Sequence, residues 1–565
     1  MKSNRRIAEL LREKVLILDG AMGTELQKRG MPAGVCPEAW CRANPAAVAE
    51  IHARYREAGA DIVYSATFGA NRVKMGMYGL SNIRETNREL AAIAKRAVGP
   101  QGLVAGDIGP TGRFVAPFGD LPFDEAVALF REQAEGLLEG GADCFVIETM
   151  MDIQEARAAL IAVRELTDRF TIVTMTYEGH GRTLNGTDPV TALVTLQGLG
   201  ADAVGCNCSL GPEAMLGMIA ALKPYARVPL VAKPNAGLPR LVGEETIFAA
   251  DAAAFAGFGS RFAAAGVNFM GGCCGTTPDH IAALRDALAA ERPIASLSGI
   301  GAAVCSARSA RMLKQGETLT VGGRLNPAQD GALRQALSAG EAGPVRQAFR
   351  EQEKEGAAIL RLKVGAAGLD EPAILGRLLE ELAPTTRIPL LIECEGLETA
   401  ETVLRRYPGC PLLAAGGDAC SLARRYGAVP VLRCAPEQGP TIGRATIRAL
   451  IAAARRSGFT REGIVIDLTA AGAVPETKTA RTLLELIDWC SGTAGCRTLL
   501  DLTAVGRGLP ERQWLQAALL AAAQAAGLTL AVVDPAFREL TNLRAAGDLL
   551  AGRDPDAAAW RSRFT

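Results

Sequence analysis

Short apolar runs rich in β-branched residues alternate along the first half of the chain with alanine-rich segments whose apolar positions recur at helical spacing. That rhythm predicts a parallel sheet covered by helices. Eight runs stand out as strands: Val15–Asp19, Asp61–Ser65, Leu103–Asp107, Cys144–Glu148, Phe170–Tyr177, Ala203–Cys208, Pro229–Asn235 and Asn268–Cys274. Eight such units match one (β/α)8 barrel, a fold that takes ~250 residues. A second series follows: Thr318–Leu325, Ala357–Gly365, Pro389–Glu395, Pro411–Gly417, Val429–Cys434, Gly463–Leu468, Arg497–Thr503 and Leu528–Asp534. Between these runs, Arg377–Leu382 and Trp514–Ala526 carry amphipathic or buried helical patterns. The predicted fold is therefore α/β, two (β/α)8 TIM barrels in tandem. The first occupies residues 1–291 and the second 318–546. Residues 292–317 lose the rhythm and predict a linker, with Pro293 and glycines near Ser298–Gly301, and residues 547–565 predict a helical tail rich in alanine and arginine.

Composition narrows the function classes. Charges balance at 61 against 61 and 49% of residues are apolar, so electrostatics gives no reason to expect nucleic acid or an anionic membrane as partner. No run approaches the roughly 20 apolar residues that a membrane-spanning helix needs, and Met1–Glu13 is polar, charged and helical in pattern rather than a secretory leader. The fourteen cysteines are then expected in a reducing cytoplasm as buried residues, metal ligands or reactive thiols. With only His52, His180 and His280 available, any transition-metal site must lean on sulfur.

The unusual residues cluster where the first eight strands end: Asp19-Gly20-Ala21-Met22-Gly23-Thr24, Thr67-Phe68-Gly69-Ala70-Asn71, Asp107-Ile108-Gly109-Pro110, Glu148-Thr149, Asn207-Cys208, Lys233-Pro234-Asn235 and Gly271-Gly272-Cys273-Cys274-Gly275. A barrel gathers all of these on the face that carries active sites. Isolated cysteines such as Cys144, Cys305, Cys410 and Cys490 are expected to pack as small apolar residues. An adjacent pair between glycines, with Cys208 ending another strand, points instead to a metal or redox site. If the three hold a metal such as zinc, one tetrahedral position stays open. Three thiolates would keep that metal a weak acid, better suited to activating a substrate thiol than water.

The Asp19–Thr24, Thr67–Asn71, Gly205–Cys208, Lys233-Pro234-Asn235-Ala236-Gly237 and Gly271–Gly275 motifs together resemble the homocysteine S-methyltransferase family, in particular the homocysteine-binding barrel of the cobalamin-dependent methionine synthases. The resemblance covers the first barrel. It implies that Cys208, Cys273 and Cys274 bind Zn2+, that the homocysteine thiolate takes the open position, and that its sulfur attacks a methyl group. Asn235 would be an oxygen ligand when substrate is absent. Glu148 and Asp19 would hold the ammonium of homocysteine, and backbone amides at Ala21, Met22, Gly23, Thr67 and Phe68 its carboxylate.

The second barrel resembles the pterin-binding barrel of the same enzymes through Gly322-Gly323-Arg324-Leu325-Asn326-Pro327, Tyr426-Gly427 and Gly508-Leu509-Pro510-Glu511-Arg512. Its strand ends depart from that pattern. Arg361-Leu362-Lys363, Glu393-Cys394, Ala414-Ala415, Thr503-Ala504 and Asp534-Pro535 stand where the family reads the pterin with Asp, Asn and Ser; only Asp467 remains. A pocket stripped of its hydrogen-bonding partners loses orders of magnitude in recognition, so folate is not expected to bind in the usual way. No Asp-x-His-x-x-Gly cobalamin motif occurs in the sequence, so the resemblance implies that a corrinoid would come on a separate partner protein. Methyltetrahydrofolate with such a partner, or a small sulfonium or betaine-like donor, are the other sources of methyl. A flavin-dependent methylenetetrahydrofolate reductase in the second half is disfavoured by the Gly-Leu-Pro-Glu-Arg turn, and a non-catalytic homocysteine-binding assembly protein by the retained cysteines.

Overall fold

The computed structural model describes residues 2–208, 211–242, 245–294, 301–382, 385–470 and 477–564, and divides into two compact units, Met1–Ser298 and Gly299–Thr565. In the first unit the barrel strands are β1 (Leu16–Ile17), β2 (Ile62–Tyr64), β3 (Leu103–Ile108), β4 (Cys144–Met150), β5 (Thr171–Met175), β6 (Ala203–Asn207) and β7 (Leu230–Lys233). An antiparallel hairpin of β8 (Pro239–Val242) and β9 (Glu245–Phe248) interrupts the series, and β10 (Val267–Met270) completes it. The parallel sheet runs β1-β10-β7-β6-β5-β4-β3-β2, and a parallel bridge from Leu18 to Ile62 joins its two ends.

The barrel interior is filled at every second residue of each strand: Ile62 and Tyr64, Leu103 and Ala105, Cys144 and Val146, with Phe170, Ile172, Val231 and Phe269 from the others. Alternation follows from the two-residue period of a strand. Carried one layer further toward the C-terminal ends, the same phase reaches Asp107, Glu148, Asn207, Lys233 and Cys273. The core thus dictates which polar residues face the barrel mouth.

The N-terminal end is sealed by the helix Lys2–Glu13. Its Ile7 is fully buried and joins the interior cluster with Leu16 and Phe269, while Leu10 and Leu11, at helical spacing from it, pack against the same cluster. Asn4 fixes the helix by donating to the Asp168 carbonyl at 2.7 Å and accepting from the Phe170 amide at 2.8 Å.

In the second unit, an antiparallel hairpin of β11 (Ala303–Cys305) and β12 (Ala310–Met312) precedes a closed barrel of β13 (Leu319–Gly322), β14 (Ile359–Lys363), β15 (Leu390–Cys394), β16 (Leu412–Ala415), β17 (Val429–Arg433), β18 (Val465–Asp467), β19 (Arg497–Asp501) and β20 (Leu530–Val533). All sixteen expected strands are present, so the tandem-barrel expectation holds. Most strands end one to four residues before the expected positions, because apolar character continues into the glycine- and proline-containing turns, while β3 and β4 run one and two residues beyond theirs.

The stretch expected as a linker is built differently from residue 301 onward; residues 295–300 lie outside the described residues. Cys305 and Cys410 exchange backbone hydrogen bonds of 2.8 and 3.1 Å, Ala302 donates to the Glu462 carbonyl at 3.0 Å, and Arg497 Nε donates to the Leu313 carbonyl at 2.7 Å. These partners all sit at the starts of barrel strands, so the hairpin covers the N-terminal end of the second barrel. In the C-terminal region, Gly547 lies inside the helix Arg538–Leu550, and a short helix, Ala558–Phe564, follows. No helix among the described residues is long and apolar enough to cross a membrane.

Candidate metal and thiol site

Three cysteine sulfurs converge at the mouth of the first barrel. Cys208 follows β6 in the left-handed region, φ 58°, and its amide donates to the Lys233 carbonyl at 3.1 Å. A non-glycine residue there is strained, a cost met mainly at functional positions. The Cys273 amide donates to the Pro234 carbonyl at 2.9 Å and the Cys274 carbonyl accepts from Ala236 at 3.0 Å, so the turn after β10 is tied to the end of β7. Two glycines make that turn possible. A methyl group on Gly272 would lie 2.4 Å from the Thr276 side chain, and Gly275 has φ +81°.

The Cys208 and Cys274 sulfurs are 3.9 Å apart, and all three Sγ atoms lie within 4.8 Å of one another. Tetrahedral zinc with ~2.3 Å bonds to sulfur requires sulfur separations of about 3.8 Å, so the trio fits such an ion with small side-chain adjustments. Of the fourteen free cysteines, the other eleven are buried, and only these three are partly exposed. Without a cation they resist ionising together. Hydrogen bonding with Cys208, with burial, pushes the Cys274 thiol up to about 11, and hydrogen bonding with Cys208 and Cys274, with burial, raises Cys273 well above the ordinary thiol value. A dication reverses that balance. Asn235 is 3% exposed and its Oδ1 has no partner, a free carbonyl oxygen beside the cysteine turn that also suits a metal.

Asn207, the inward residue before Cys208, organises the wall next to the sulfurs. Its Nδ2 donates to Thr149 Oγ1 at 2.7 Å and Glu148 Oε2 at 3.3 Å, and its Oδ1 accepts from the Thr149 amide at 2.9 Å. Thr149 too has positive φ, 60°.

A cavity of about 380 Å³ opens beside the cysteines, and Asp19, Asp107, Glu148 and Lys233 line it. Lys233 is 2% exposed. Its Nζ reaches Asp19 Oδ1 at 3.1 Å and lies 3.5 Å from the centre of the Tyr64 ring. The other Asp19 oxygen accepts from the Tyr64 amide at 2.7 Å. Asp19, expected to hold an ammonium group, thus already holds that of Lys233. Burial works against the Lys233 charge, but Asp19 and Glu148 outweigh it and keep its pKa above the ordinary value. Burial pushes Glu148 up to about 7, against the opposing pull of Lys233, and burial with the Glu148 charge raises Asp107 well above the carboxylate range.

The expected amide donors divide. Ala21 N already donates to Thr276 Oγ1 at 3.1 Å and Thr67 N to the Ser65 carbonyl at 2.6 Å. The amides of Met22, Gly23 and Phe68, which also line the cavity, have no partner among the described residues. Lys233, Asp107 and Asn207 stand inside the sequence motifs, which assign them no role. The phase of their strands was the signal that could have singled them out.

The second barrel has its own cavity of about 330 Å³ at the C-terminal strand ends, lined by Arg361, Glu393, Arg433, Asp467 and Asp501 above Leu391 and Val431. Arg361 is 2% exposed; it reaches Asp501 Oδ2 at 2.5 Å and the Gly323 carbonyl at 2.9 Å. Lys363 pairs with Glu393, and Arg433 with Asp467 at 3.4 Å. Ala414 and Ala415 leave the β16 side of this cavity without polar groups.

Residues 16–288 match the family model for homocysteine S-methyltransferase. Over 585 aligned residues the chain is 30% identical to methionine synthase of Mycobacterium tuberculosis, and over 590 it is 30% identical to that of Mycobacterium leprae. Each alignment takes in 93% of this chain but 48% of the relative, so the chain spans about half the length of the curated relatives it matches. Among solved structures, the metallated form of the homocysteine methyltransferase MmuM from Escherichia coli aligns with 27% identity and a TM-score of 0.43, covering 49% of this chain and 98% of that one. The likeness to the homocysteine S-methyltransferase family thus covers residues 16–288, the first barrel.

Proposed function

We propose that the first barrel is a zinc-dependent homocysteine S-methyltransferase of methionine synthase type, with Cys208, Cys273 and Cys274 as the zinc ligands and Asn235 as an oxygen ligand in the absence of substrate. The observation that carries this reading is the convergence of three partly exposed sulfurs within 4.8 Å at the edge of a cavity large enough for an amino acid. Zinc, when bound, supplies a positive charge that favours the thiolate of a coordinating thiol near neutral pH.

The chain's own residues do the rest. The strained Cys208 backbone and the Gly272–Gly275 turn hold the sulfurs before substrate arrives, so little reorganisation is needed. Met22, Gly23 and Phe68 offer free amides to a carboxylate. Asp19 pairs with Lys233 and helps hold the lysine charged, while burial outweighs that pairing and raises the Asp19 carboxyl. The homocysteine sulfur then attacks the methyl carbon in line: the carbon–sulfur bond forms as the bond to the donor breaks, and the donor leaves with that electron pair.

The donor we favour is a methylcorrinoid protein acting in trans, in the cytoplasm. The second barrel, in this reading, keeps its fold without reading a pterin. Its charged groups are already committed to one another in the Arg361–Asp501 and Lys363–Glu393 pairs, and its alanine wall offers a pterin edge nothing to bond. Methionine formation from homocysteine and methylcobalamin, with and without zinc, tests the first barrel; no turnover under any zinc loading would refute it. For the second, titration with methyltetrahydrofolate is expected to show no tight binding, and saturation at micromolar concentration would overturn the assignment.

A further inference from the structure

A closed circuit of hydrogen bonds runs through the cysteine turn. The Cys274 carbonyl accepts from the Ala236 amide at 3.0 Å, and the Ala236 carbonyl accepts in turn from the Ala250 amide at 3.0 Å. Ala236 and Ala250 flank the β8–β9 hairpin, so the second of these bonds closes its stem. From Ala250 the path runs through one side chain. His280 Nε2 donates to the Ala250 carbonyl at 3.0 Å, the Thr277 amide donates to His280 Nδ1 at 3.3 Å, and Thr277 Oγ1 lies 2.9 Å from the same nitrogen. Thr277 follows Cys274 after only Gly275 and Thr276, which completes the ring.

The partners fix the tautomer of this buried histidine. A carbonyl oxygen only accepts, so Nε2 carries the hydrogen; an amide only donates, so Nδ1 offers the lone pair. Thr277 and His280 form a capping box that starts the helix Pro278–Leu288 directly after the cysteine turn. The imidazole meets the Phe255 ring edge-on, with 5.6 Å between centres. The hairpin also returns onto the turn itself, because Phe248 at the end of β9 packs over Gly275, where a methyl group would fall 2.3 Å from the ring.

The circuit encloses the groups that a metal would need. Asn235, whose Oδ1 has no partner, directly precedes Ala236, and Cys273 and Cys274 form the facing arc. Thiols that resist ionising together gain nothing from closeness until a cation arrives, so their spacing has to come from the backbone around them. A swing of the hairpin would pull Ala236, and with it Asn235 and the Cys274 carbonyl. The links from Cys274 to Ala236 and Ala250 are main chain to main chain, whereas the link onward to the helix depends on the imidazole.

We propose that His280 is a positioning residue of the metal centre: it pins the hairpin stem to the helix after the cysteines and so fixes Cys274 and Asn235 relative to each other before metal binds. This rests on the reading of the three sulfurs as a zinc site.

The test uses the metal-free full chain, titrated with cobalt(II), whose thiolate charge-transfer bands report sulfur ligation, and with zinc in competition with a chelator. His280→Gln carries an acceptor and a donor on one planar group and is expected to bind metal as wild type does. His280→Glu keeps the acceptor that completes the capping box but has no hydrogen for Ala250, and His280→Leu has neither; each is expected to weaken zinc binding by about 10-fold and to alter the cobalt spectrum. Thermal melts report folding, and either of these two variants suffices should the other misfold. If both hold zinc like wild type, with or without a lowered melting temperature, His280 is merely structural and the proposal is overturned. A glutamine variant as weak as the leucine one would overturn it too. Wild-type protein that binds neither metal would instead remove the three-sulfur reading, and this inference with it.

Discussion

The two barrels use one construction and reach opposite electrostatic ends. In each, the strand phase that fills the interior with apolar residues puts a ring of polar ones at the C-terminal mouth: Asp107, Glu148, Lys233 and Cys273 in the first, Arg361, Glu393, Arg433, Asp467 and Asp501 in the second. In the second ring the cations have carboxylate partners from other strands, and the set is largely self-satisfied. In the first, four carboxylates face one lysine, and an acceptor and several amides are left over. A shared fold fixes where a site would be; whether its groups are already spent decides whether a guest is needed.

The sharpest way to break this comparison is to remove one cysteine from the lining of each cavity. Cys273→Ala is expected to bring bound zinc to background by elemental analysis and to cut methionine formation by more than about 100-fold, since even partners of metal ligands are worth 10- to 100-fold. Cys394→Ala, at the second cavity, should change neither. Metal retained in the first variant would end the three-sulfur assignment.

Next in size is Arg361→Ala. It leaves Asp501 without its close partner and is expected to cost about 3 kcal/mol in denaturant unfolding, with homocysteine binding unchanged. A loss of homocysteine affinity would show that the second ring is not a self-contained structural device.

The smallest effect concerns acid. All three histidines lie in the first barrel, and His52 is fully buried with neither ring nitrogen partnered. Burial lowers its pKa from 6.5 to about 4. Between those values the unfolded chain binds a proton that the folded one does not. Stability is therefore lost as pH falls from 6.5 toward 4, by up to about 3 kcal/mol. His52→Leu should flatten that window for the first barrel, measured by urea unfolding at stepped pH; an unchanged slope would place the acid sensitivity elsewhere.

The strands were legible because each is a β-branched apolar run between helical patterns, and the cysteine cluster because Gly-Gly-Cys-Cys-Gly wastes its glycines unless a turn must be tight. Partnership was less legible. Ala303–Cys305 and Ala310–Met312 are three-residue strands whose anchors, Cys410 and Arg497, lie more than a hundred residues away. Nothing local distinguishes them from a linker. The carboxylates posed the same difficulty. Asp19 and Asp107 both end apolar runs, and only the packing of Lys233 and Tyr64 against Asp19 shows which is occupied.

The helix Lys2–Glu13 has a kinetic corollary. With Ile7, Phe170 and Phe269 filling the barrel beneath the cysteines, the reaction chamber has a closed floor. In the methyl transfer proposed above, homocysteine, the methyl donor and methionine would all pass the same opening, so product would have to clear the doorway before another thiol could enter. Methionine should then compete with homocysteine in steady-state kinetics, a traffic rule imposed by the far end of the barrel from the chemistry.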